Sequence, residues 1–296
     1  MQLQAVGHYE VVEEDFVYAR VGDLELLARS YRPKKDGRLP ALVEVHGGAW
    51  NLYDRTAGEL YNKALASAGI YVLAIDFRQG PDFQHPLGSR DTTAAVRYLR
   101  AHADELNIDS SSIGLVGSSS GGHLALLAAL KPNQDLHKGT LIVSNSASSA
   151  GQSSGDQAID VDELSAEVAY VVALWPVSDP SYRYDYAKRV GRDALVKMHD
   201  DYFGNQENMR AASIARILNE KEATENLPQV LIVQAGEDGN IPREMTFDVM
   251  AAFQNAGSKI DYAFYPGMPH AFGHRPSEYT DDLIVTMRDF IARQLK

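Results

Sequence analysis

Cysteine is absent from this chain of 296 residues, and its absence excludes disulfides, thiolate catalysis and cysteine-bound metal centres. Basic residues are also scarce: 28 Lys and Arg stand against 40 Asp and Glu, which gives a formal net charge of −12. Because binding to a phosphate backbone requires a basic surface, we predict that nucleic acid is not a partner.

Long hydrophobic runs are missing as well. The longest apolar stretch, residues 168–177, is much shorter than the about 20 residues that a membrane-spanning helix needs. Residues 1–16 lack the basic start and the apolar core of a signal peptide. We therefore predict a cytoplasmic protein without a membrane span, and the composition leaves its oligomeric state open.

Short apolar runs alternate with helical patterns along most of the chain. An opening hairpin is predicted at residues 16–20 and 24–31. Buried strands are predicted at 41–45, 70–77, 113–116, 169–175, 229–234 and 260–265. Helices are predicted at 56–68, 90–103, 122–130, 243–255 and 278–295. This alternation predicts an α/β fold with a mostly parallel central sheet and helices on both faces.

Two segments interrupt the alternation. Residues 131–167 contain the serine-rich stretch SNSASSAGQSSG at 144–155, which predicts a mobile loop. Residues 178–226 are rich in charge and tyrosine and predict a small inserted lid. No repeat or linker separates two units, so we predict a single domain over residues 1–296.

The segment GSSSG at residues 117–121 carries the strongest local signal. It connects a predicted strand to a predicted helix, which is the setting of a nucleophile elbow. Ser119 alone has glycine two positions away on both sides, where a side chain would collide with the neighbouring strand and helix. A phosphate-binding loop would carry lysine after the last glycine, where this chain has His123. We predict that Ser119 is a nucleophile; the alternative is a structural turn.

The segment HGGAW at residues 46–50 directly follows the predicted strand 41–45. Glycine allows backbone N–H groups to approach the oxyanion of a tetrahedral acyl intermediate closely. We predict that Gly47 and Gly48 supply such groups, together with the N–H group of Ser120, and that His46 has a structural role.

An acid and a base are predicted at the ends of two later strands. Asp238 follows the strand 229–234, and His270 follows the strand 260–265. Open α/β sheets build their sites at the carboxyl ends of strands, and hydrolases with this elbow place acid and then histidine after the serine. We predict His270 as the general base and Asp238 as the carboxylate that orients it.

Alternatives remain open for these two roles. Glu237 is a second candidate acid, and Asp238 is also compatible with an ordinary Asp-Gly turn. His274 is a second candidate base. The four-residue spacing of His270 and His274 is that of a helical metal pair, but Gly273 and nearby prolines argue against a helix, so we predict neither a metal site nor a cofactor.

Four aromatic residues are candidates for contact with a substrate. Trp50 is predicted either to pack in the core or to line an acyl pocket. Tyr182, Tyr184 and Tyr202 of the predicted lid are predicted either to form an aromatic wall or to pack the lid onto the core. His199, beside two aspartates, is predicted to lie on a solvated face.

With these motifs in place, the sequence resembles the α/β-hydrolase superfamily, and within it the esterases related to hormone-sensitive lipase and the bacterial esterase/arylformamidase group. The resemblance runs from HGGAW at 46–50 through Ser119 and Asp238 to His270. It implies the α/β-hydrolase fold, this catalytic triad and an oxyanion hole at Gly47, Gly48 and Ser120. It also implies a structural role for Asp76-Phe77-Arg78, His85-Pro86 and Asp91.

The sequence departs from the hormone-sensitive lipase pattern at two positions. Ala49 replaces the usual third glycine, and Ser118 replaces the usual aspartate before the nucleophile. Trp50 is more similar to the arylformamidase type. Only 45 residues precede His46, so an N-terminal helical cap is not expected and a lid would come from residues 178–226 or the serine-rich loop.

From these observations we predict a metal-free serine hydrolase that cleaves small or medium carboxylic esters through an acyl-enzyme. One alternative is an arylformamidase or amidase that uses the same triad. The other is a non-catalytic receptor for small molecules built on this fold.

Overall fold

The computed structural model describes residues 8–143, 158–159 and 161–295. The serine-rich stretch 144–155, predicted to be a mobile loop, lies outside these residues. The strands in the described part are β1 (Val11–Val21), β2 (Leu24–Pro33), β3 (Ala41–Val45), β4 (Tyr71–Ile75), β5 (Gly114–Ser118), β6 (Leu141–Val143), β7 (Ala158–Ile159), β8 (Tyr170–Leu174), β9 (Gln229–Ala235) and β10 (Ile260–Tyr265). The helices there are α1 (Glu59–Ser67), α2 (Leu87–Ala101), α3 (Ala103–Leu106), α4 (Ser120–Leu130), α5 (Pro180–Arg189), α6 (Asp193–Phe203), α7 (Gln206–Ala211), α8 (Ile214–Asn219), α9 (Arg243–Asn255) and α10 (Glu278–Gln294).

These strands form one sheet in the order β10-β9-β8-β5-β3-β4-β2-β1-β6-β7. The six strands from β10 to β4 are parallel, and the remaining four are antiparallel. The predicted α/β fold is therefore confirmed. The opening hairpin is also confirmed, with longer strands than predicted and a bulge between Val17 and Ala19.

The central strands β3, β4, β5 and β8 are buried along their whole length. Their sequences are almost continuously apolar, because strands covered on both faces have no side that contacts water. Helices α1 and α10 pack on each other, and α2 packs on α4. Both groups also contact the sheet, so helices cover its two faces.

The segment after β4 connects the sheet to α2 through buried charges. Arg78 and Asp91 form an ion pair of 2.6 Å in which both side chains are buried. Asp76 pairs with Arg55 at 2.9 Å. These contacts are between structural elements, in keeping with the structural role that the resemblance implies for this segment.

Residues 178–226 contain the four short helices α5 to α8. Helix α5 begins at Pro180, and the side chain of Asp179 accepts a hydrogen bond from the N–H of Tyr182, which caps the helix. Asn205 and Ser213 cap α7 and α8 in the same way. The function of this segment as a lid stays a prediction.

Every helix among the described residues is too short or too polar to cross a membrane.

Candidate active site

Ser119 occupies the tight turn between β5 and α4. Its backbone has φ of +53°, a left-handed conformation that is unfavourable for a residue with a side chain. A side chain at Gly121 would overlap the carbonyl oxygens of Val45 and His46, and one at Gly117 would overlap the backbone of Gly121. The glycine spacing around Ser119 therefore has the steric cause expected from the sequence: the turn brings α4 against the end of β3.

A chain of hydrogen bonds connects Ser119, His270 and Asp238. His270 Nε2 lies 3.0 Å from Ser119 Oγ, and His270 Nδ1 lies 2.7 Å from Asp238 Oδ2. A carboxylate only accepts hydrogen bonds, so Nδ1 carries the proton in this pair. Nε2 of the neutral ring is then the acceptor for the hydroxyl of Ser119, which is the arrangement needed to activate a nucleophile.

Backbone contacts hold the acid and the histidine loops together. The N–H of Glu237 donates to the carbonyl of Met268 at 2.9 Å. Asp238 Oδ1 accepts the N–H groups of Asn240 at 2.8 Å and Ile241 at 2.9 Å. The side chain of Asp238 is 1% exposed, and both of its oxygens are in use. Its orientation toward the histidine is therefore set by the backbone of its own loop.

The other candidate acid, Glu237, the other candidate base, His274, and the structural residue His46 make no hydrogen bond with Ser119 or His270 among the described residues. Glu237 is exposed to solvent. His274 donates through Nδ1 to the carbonyl of Ala57 at 2.8 Å. His46 is fully buried, stacks on Phe77 and donates through Nδ1 to the carbonyl of Gly47. Burial lowers the pKa of His46 to about 4, so its ring is neutral near pH 7.

The loop after β3 presents free backbone donors beside the serine. Gly48 has φ of +103°, and a Cβ there would overlap the carbonyl of Leu52. Among the described residues, the N–H groups of Gly47 and Gly48 have no acceptor. Ser120 is the first residue of α4, so its N–H has no partner within the helix. These three groups are the predicted oxyanion donors.

A cavity of about 680 Å³ opens above Ser119 and His270. The glycine loop lines it through Gly47 and Gly48. Much of its remaining surface is apolar, from Leu52, Trp175, Leu195, Met198 and Phe272. Its size and apolar character are typical of a site for a small organic molecule.

The four aromatic residues that were candidates either for core packing or for substrate contact are not among the residues that line this cavity. Trp50 and Tyr202 are fully buried and stack on each other with ring centres 5.6 Å apart. Tyr184 is also buried, and Tyr182 packs against the core from a partly buried position. The large apolar area of these rings is buried between the helices of 178–226 and the sheet, so they serve packing.

His199 also differs from its prediction, because it is buried and not solvated. Its Nδ1 donates to the carbonyl of Leu195 at 2.7 Å, and burial lowers its pKa to about 3. Its Nε2 accepts the Nε–H of Arg183 at 3.2 Å.

Arg183 is a residue that the sequence analysis missed. It lines the cavity from α5, although its side chain is only 1% exposed. The available signal was helical spacing: Arg183, Tyr184 and Ala187 share the buried face of α5. An arginine in a helix rich in tyrosine and charge is more readily interpreted as a surface residue.

In the described part of the chain, clusters of three or more His, Asp or Glu side chains able to hold a metal ion are absent.

The fold and the geometry of this site define the class of the protein: an α/β hydrolase with a serine at its nucleophile elbow. The model of the BD-FAE family matches residues 30–252. This match covers most of the chain, and the protein belongs to the BD-FAE family.

Curated relatives and solved structures are similar to the chain in different ways. Esterase LipC of Mycobacterium tuberculosis is 27% identical over 256 residues, which are 84% of this chain and 56% of LipC. An arylesterase of Saccharolobus solfataricus is 31% identical over 43% of this chain and 42% of its own length. The chain thus spans about half the length of these relatives. A hyperthermophilic esterase from Pyrobaculum calidifontis has the same fold, with a TM-score of 0.74 at 22% identity, covering 97% of this chain and 85% of that one.

Proposed function

We propose that the protein is a serine carboxylesterase that cleaves small or medium carboxylic esters. The observation that carries this proposal is the hydrogen-bonded series Ser119, His270 and Asp238 at the floor of an apolar cavity. The names of the relatives LipC and the arylesterase support ester hydrolysis as the reaction.

The proposed reaction has two stages. Ser119 Oγ attacks the ester carbonyl while its proton passes to His270 Nε2, and the N–H groups of Gly47, Gly48 and Ser120 stabilise the oxyanion. His270 then returns the proton to the alkoxide, which leaves as the alcohol, and Ser119 is acylated. In the second stage, water attacks the acyl-enzyme while His270 accepts a proton from the water. The tetrahedral intermediate then releases the carboxylic acid, and His270 returns the proton to Ser119 Oγ.

Asp238 contributes by holding the imidazole. Its hydrogen bond to Nδ1 selects the tautomer in which Nε2 accepts a proton, and its negative charge stabilises the imidazolium that forms during each stage. Each oxyanion donor is typically worth about 10² to 10³ in kcat.

The amidase and receptor alternatives have weaker support. Trp50, the residue that suggested an arylformamidase, is buried away from the cavity. A receptor would not require three aligned catalytic groups. Comparing the rates on an aryl formamide and on the matched aryl formate ester distinguishes amide from ester chemistry.

The location in the cytoplasm and the function of residues 178–226 as a lid belong to the same proposal. The position of α5 and α6 beside the cavity supports the lid.

Substitution of the nucleophile tests the proposal. Ser119→Ala is expected to abolish hydrolysis of p-nitrophenyl butyrate and labelling by a fluorophosphonate probe, because no other hydroxyl lies against His270 Nε2 in the described residues. Ser111→Ala, which removes an exposed serine outside the elbow, is the matched control and is expected to label normally. Near-normal turnover by a folded Ser119→Ala protein, or a wild-type protein that neither labels nor turns over, would exclude the proposal.

A further inference from the structure

Arg183 carries a charge that the proposed mechanism does not use. Its side chain is 1% exposed and lines the same cavity as Ser119 and His270. Nε donates to His199, and the guanidinium lies 5.1 Å from the centre of the Trp50 ring. Its Nη2 group is buried and has no hydrogen-bond partner among the described residues.

Arg183 also has no carboxylate partner within 4.0 Å in the part of the chain that the structure describes. Asp238 contributes a favourable long-range attraction, but its two oxygens already accept hydrogen bonds from His270, Asn240 and Ile241. A buried charge without a partner costs several kcal/mol, so folded proteins normally pair it. An arginine is therefore held unpaired at the wall of the cavity.

The charge of the cavity wall is the opposite of the charge of the whole chain. Arg183 and Arg275 line the cavity, whereas the described residues of its lining include no Asp or Glu. The chain as a whole has a net charge of −12. Burial lowers the pKa of Arg183 to about 9, so the guanidinium remains protonated near pH 7.

We propose that Arg183 binds a carboxylate carried by the ester substrate and so determines specificity for substrates with one negative charge. This inference rests on the proposed esterase function. The planar guanidinium matches a carboxylate, and its unpaired N–H groups supply charge-assisted hydrogen bonds. A carboxylate in the cavity meets this positive charge where the described lining includes no Asp or Glu, whereas a neutral ester leaves the charge without a counterion.

Two pairs of substrates test this specificity and locate the carboxylate. In the first pair the acyl part differs: the mono-p-nitrophenyl ester of glutaric acid is compared with p-nitrophenyl valerate. In the second pair the alcohol part differs: 4-acetoxybenzoate is compared with its neutral amide. We expect a higher kcat/KM for the anionic member of at least one pair, and the pair that responds shows which side of the ester faces Arg183.

Substitutions of Arg183 assign the preference to this side chain. Arg183→Met is expected to lower the ratio of kcat/KM between anionic and neutral members by roughly 10- to 100-fold, mainly through KM, because one charge-assisted contact is lost. Arg183→Lys keeps the positive charge and is expected to retain part of the ratio. Arg189→Met, which changes an exposed arginine on the same helix, is the control and is expected to leave the ratio unchanged.

The outcomes separate this inference from the function on which it rests. Hydrolysis of the neutral esters by wild-type protein without preference for either anionic member would overturn the inference and leave the esterase proposal intact. A preference that Arg183→Met retains would also overturn it. Should Arg183→Met fail to fold, the wild-type ratios together with Arg183→Lys still decide the question. Loss of all ester hydrolysis in the wild type would contradict the proposed function itself.

Discussion

At the scale of single residues, two adjacent acids differ completely in their environment. Asp238 is almost fully buried and contacts His270, whereas Glu237 is exposed. Both belong to the same loop after β9, and both were open as candidates from the sequence. Asp238 is the acid that contacts the histidine because the backbone N–H groups of Asn240 and Ile241 donate to its Oδ1 and leave Oδ2 to accept from His270.

Asp238→Asn is expected to reduce kcat on a neutral aryl ester by about 10³- to 10⁴-fold with little change in KM. The amide can place its N–H against His270 Nδ1, which favours the tautomer with the proton on Nε2 and removes the acceptor for Ser119. Steady-state kinetics would measure this loss. Glu237→Gln is the matched control, and a loss of similar size in that variant would contradict the assignment of the acid.

Arg183 and His199 show what residue-scale reasoning from sequence overlooks. Each lies among charged neighbours in the chain, and each is buried in the structure. The fold buries them because Trp50, which comes from a loop more than 100 residues earlier, packs against both.

At the scale of elements, β3 contains a charge in an otherwise apolar strand. Glu44 is fully buried and accepts hydrogen bonds from Tyr61 at 2.8 Å and Asn62 at 3.2 Å, both on α1. Burial raises its pKa to about 7, and the two hydrogen bonds oppose part of this rise. Glu44 thereby connects α1 to the strand that leads into the glycine loop at residues 46–50.

The raised pKa of Glu44 makes stability depend on pH. Between the usual value of 4.5 and about 7, Glu44 of the folded protein keeps a proton that the unfolded chain has released, so the contribution of Glu44 to the free energy of unfolding falls as pH rises through this interval. Glu44→Gln removes this dependence and is expected to be more stable than wild type at pH 8, by up to about 3 kcal/mol, and similar at pH 5.

Urea unfolding at pH 5 and pH 8 measures this effect. Asn62 has a buried amide oxygen without a partner in the described residues, and after rotation this oxygen can accept the N–H that Glu44→Gln introduces. Glu225→Gln, at an exposed loop position, is the control and is expected to leave the pH dependence unchanged. Buried histidines such as His46, whose pKa is lowered to about 4, make the stability of both proteins rise with pH, so the test is the difference in free energy of unfolding between Glu44→Gln and wild type. A difference that does not increase in favour of Glu44→Gln from pH 5 to pH 8 would contradict the prediction.

At the scale of the whole molecule, residues 178–226 share one core with the sheet. Tyr202 and Phe203 at the end of α6 pack against Trp50 from the loop after β3, with ring centres 5.6 and 4.9 Å from it. Tyr202, a candidate for a substrate wall, thus joins the helical segment to the loop after β3.

Tyr202→Ala is expected to lower the free energy of unfolding by about 3 to 5 kcal/mol, because it removes a fully buried ring. It is expected to leave the ratio of activities on acetyl and benzoyl esters unchanged, because Tyr202 does not line the cavity. Chemical denaturation and kinetics on the two esters check both parts. Tyr279→Ala, on a half-exposed side chain of α10, is the stability control. A changed ratio of activities on the two esters in Tyr202→Ala would indicate that Tyr202 takes part in substrate selection.

The net charge of the chain and the charge of the cavity lining affect different partners. The net charge of −12 disfavours association with large anionic surfaces, where many charges act together. A bound substrate experiences mainly the residues within a few ångströms, where Arg183 and Arg275 line the cavity. Total charge therefore does not predict the charge of a preferred small substrate.

The sequence by itself determined the α/β fold and the places where chemistry could occur. Apolar runs of strand length and the glycines around Ser119 are local signals, set by burial on both faces and by steric limits within a few residues. Only the tertiary structure decided which side chains meet. It joins Asp238 and His270 to Ser119, packs Trp50 and Tyr202 in the core, and brings Arg183 to the cavity, because these contacts depend on packing between segments tens to more than one hundred residues apart.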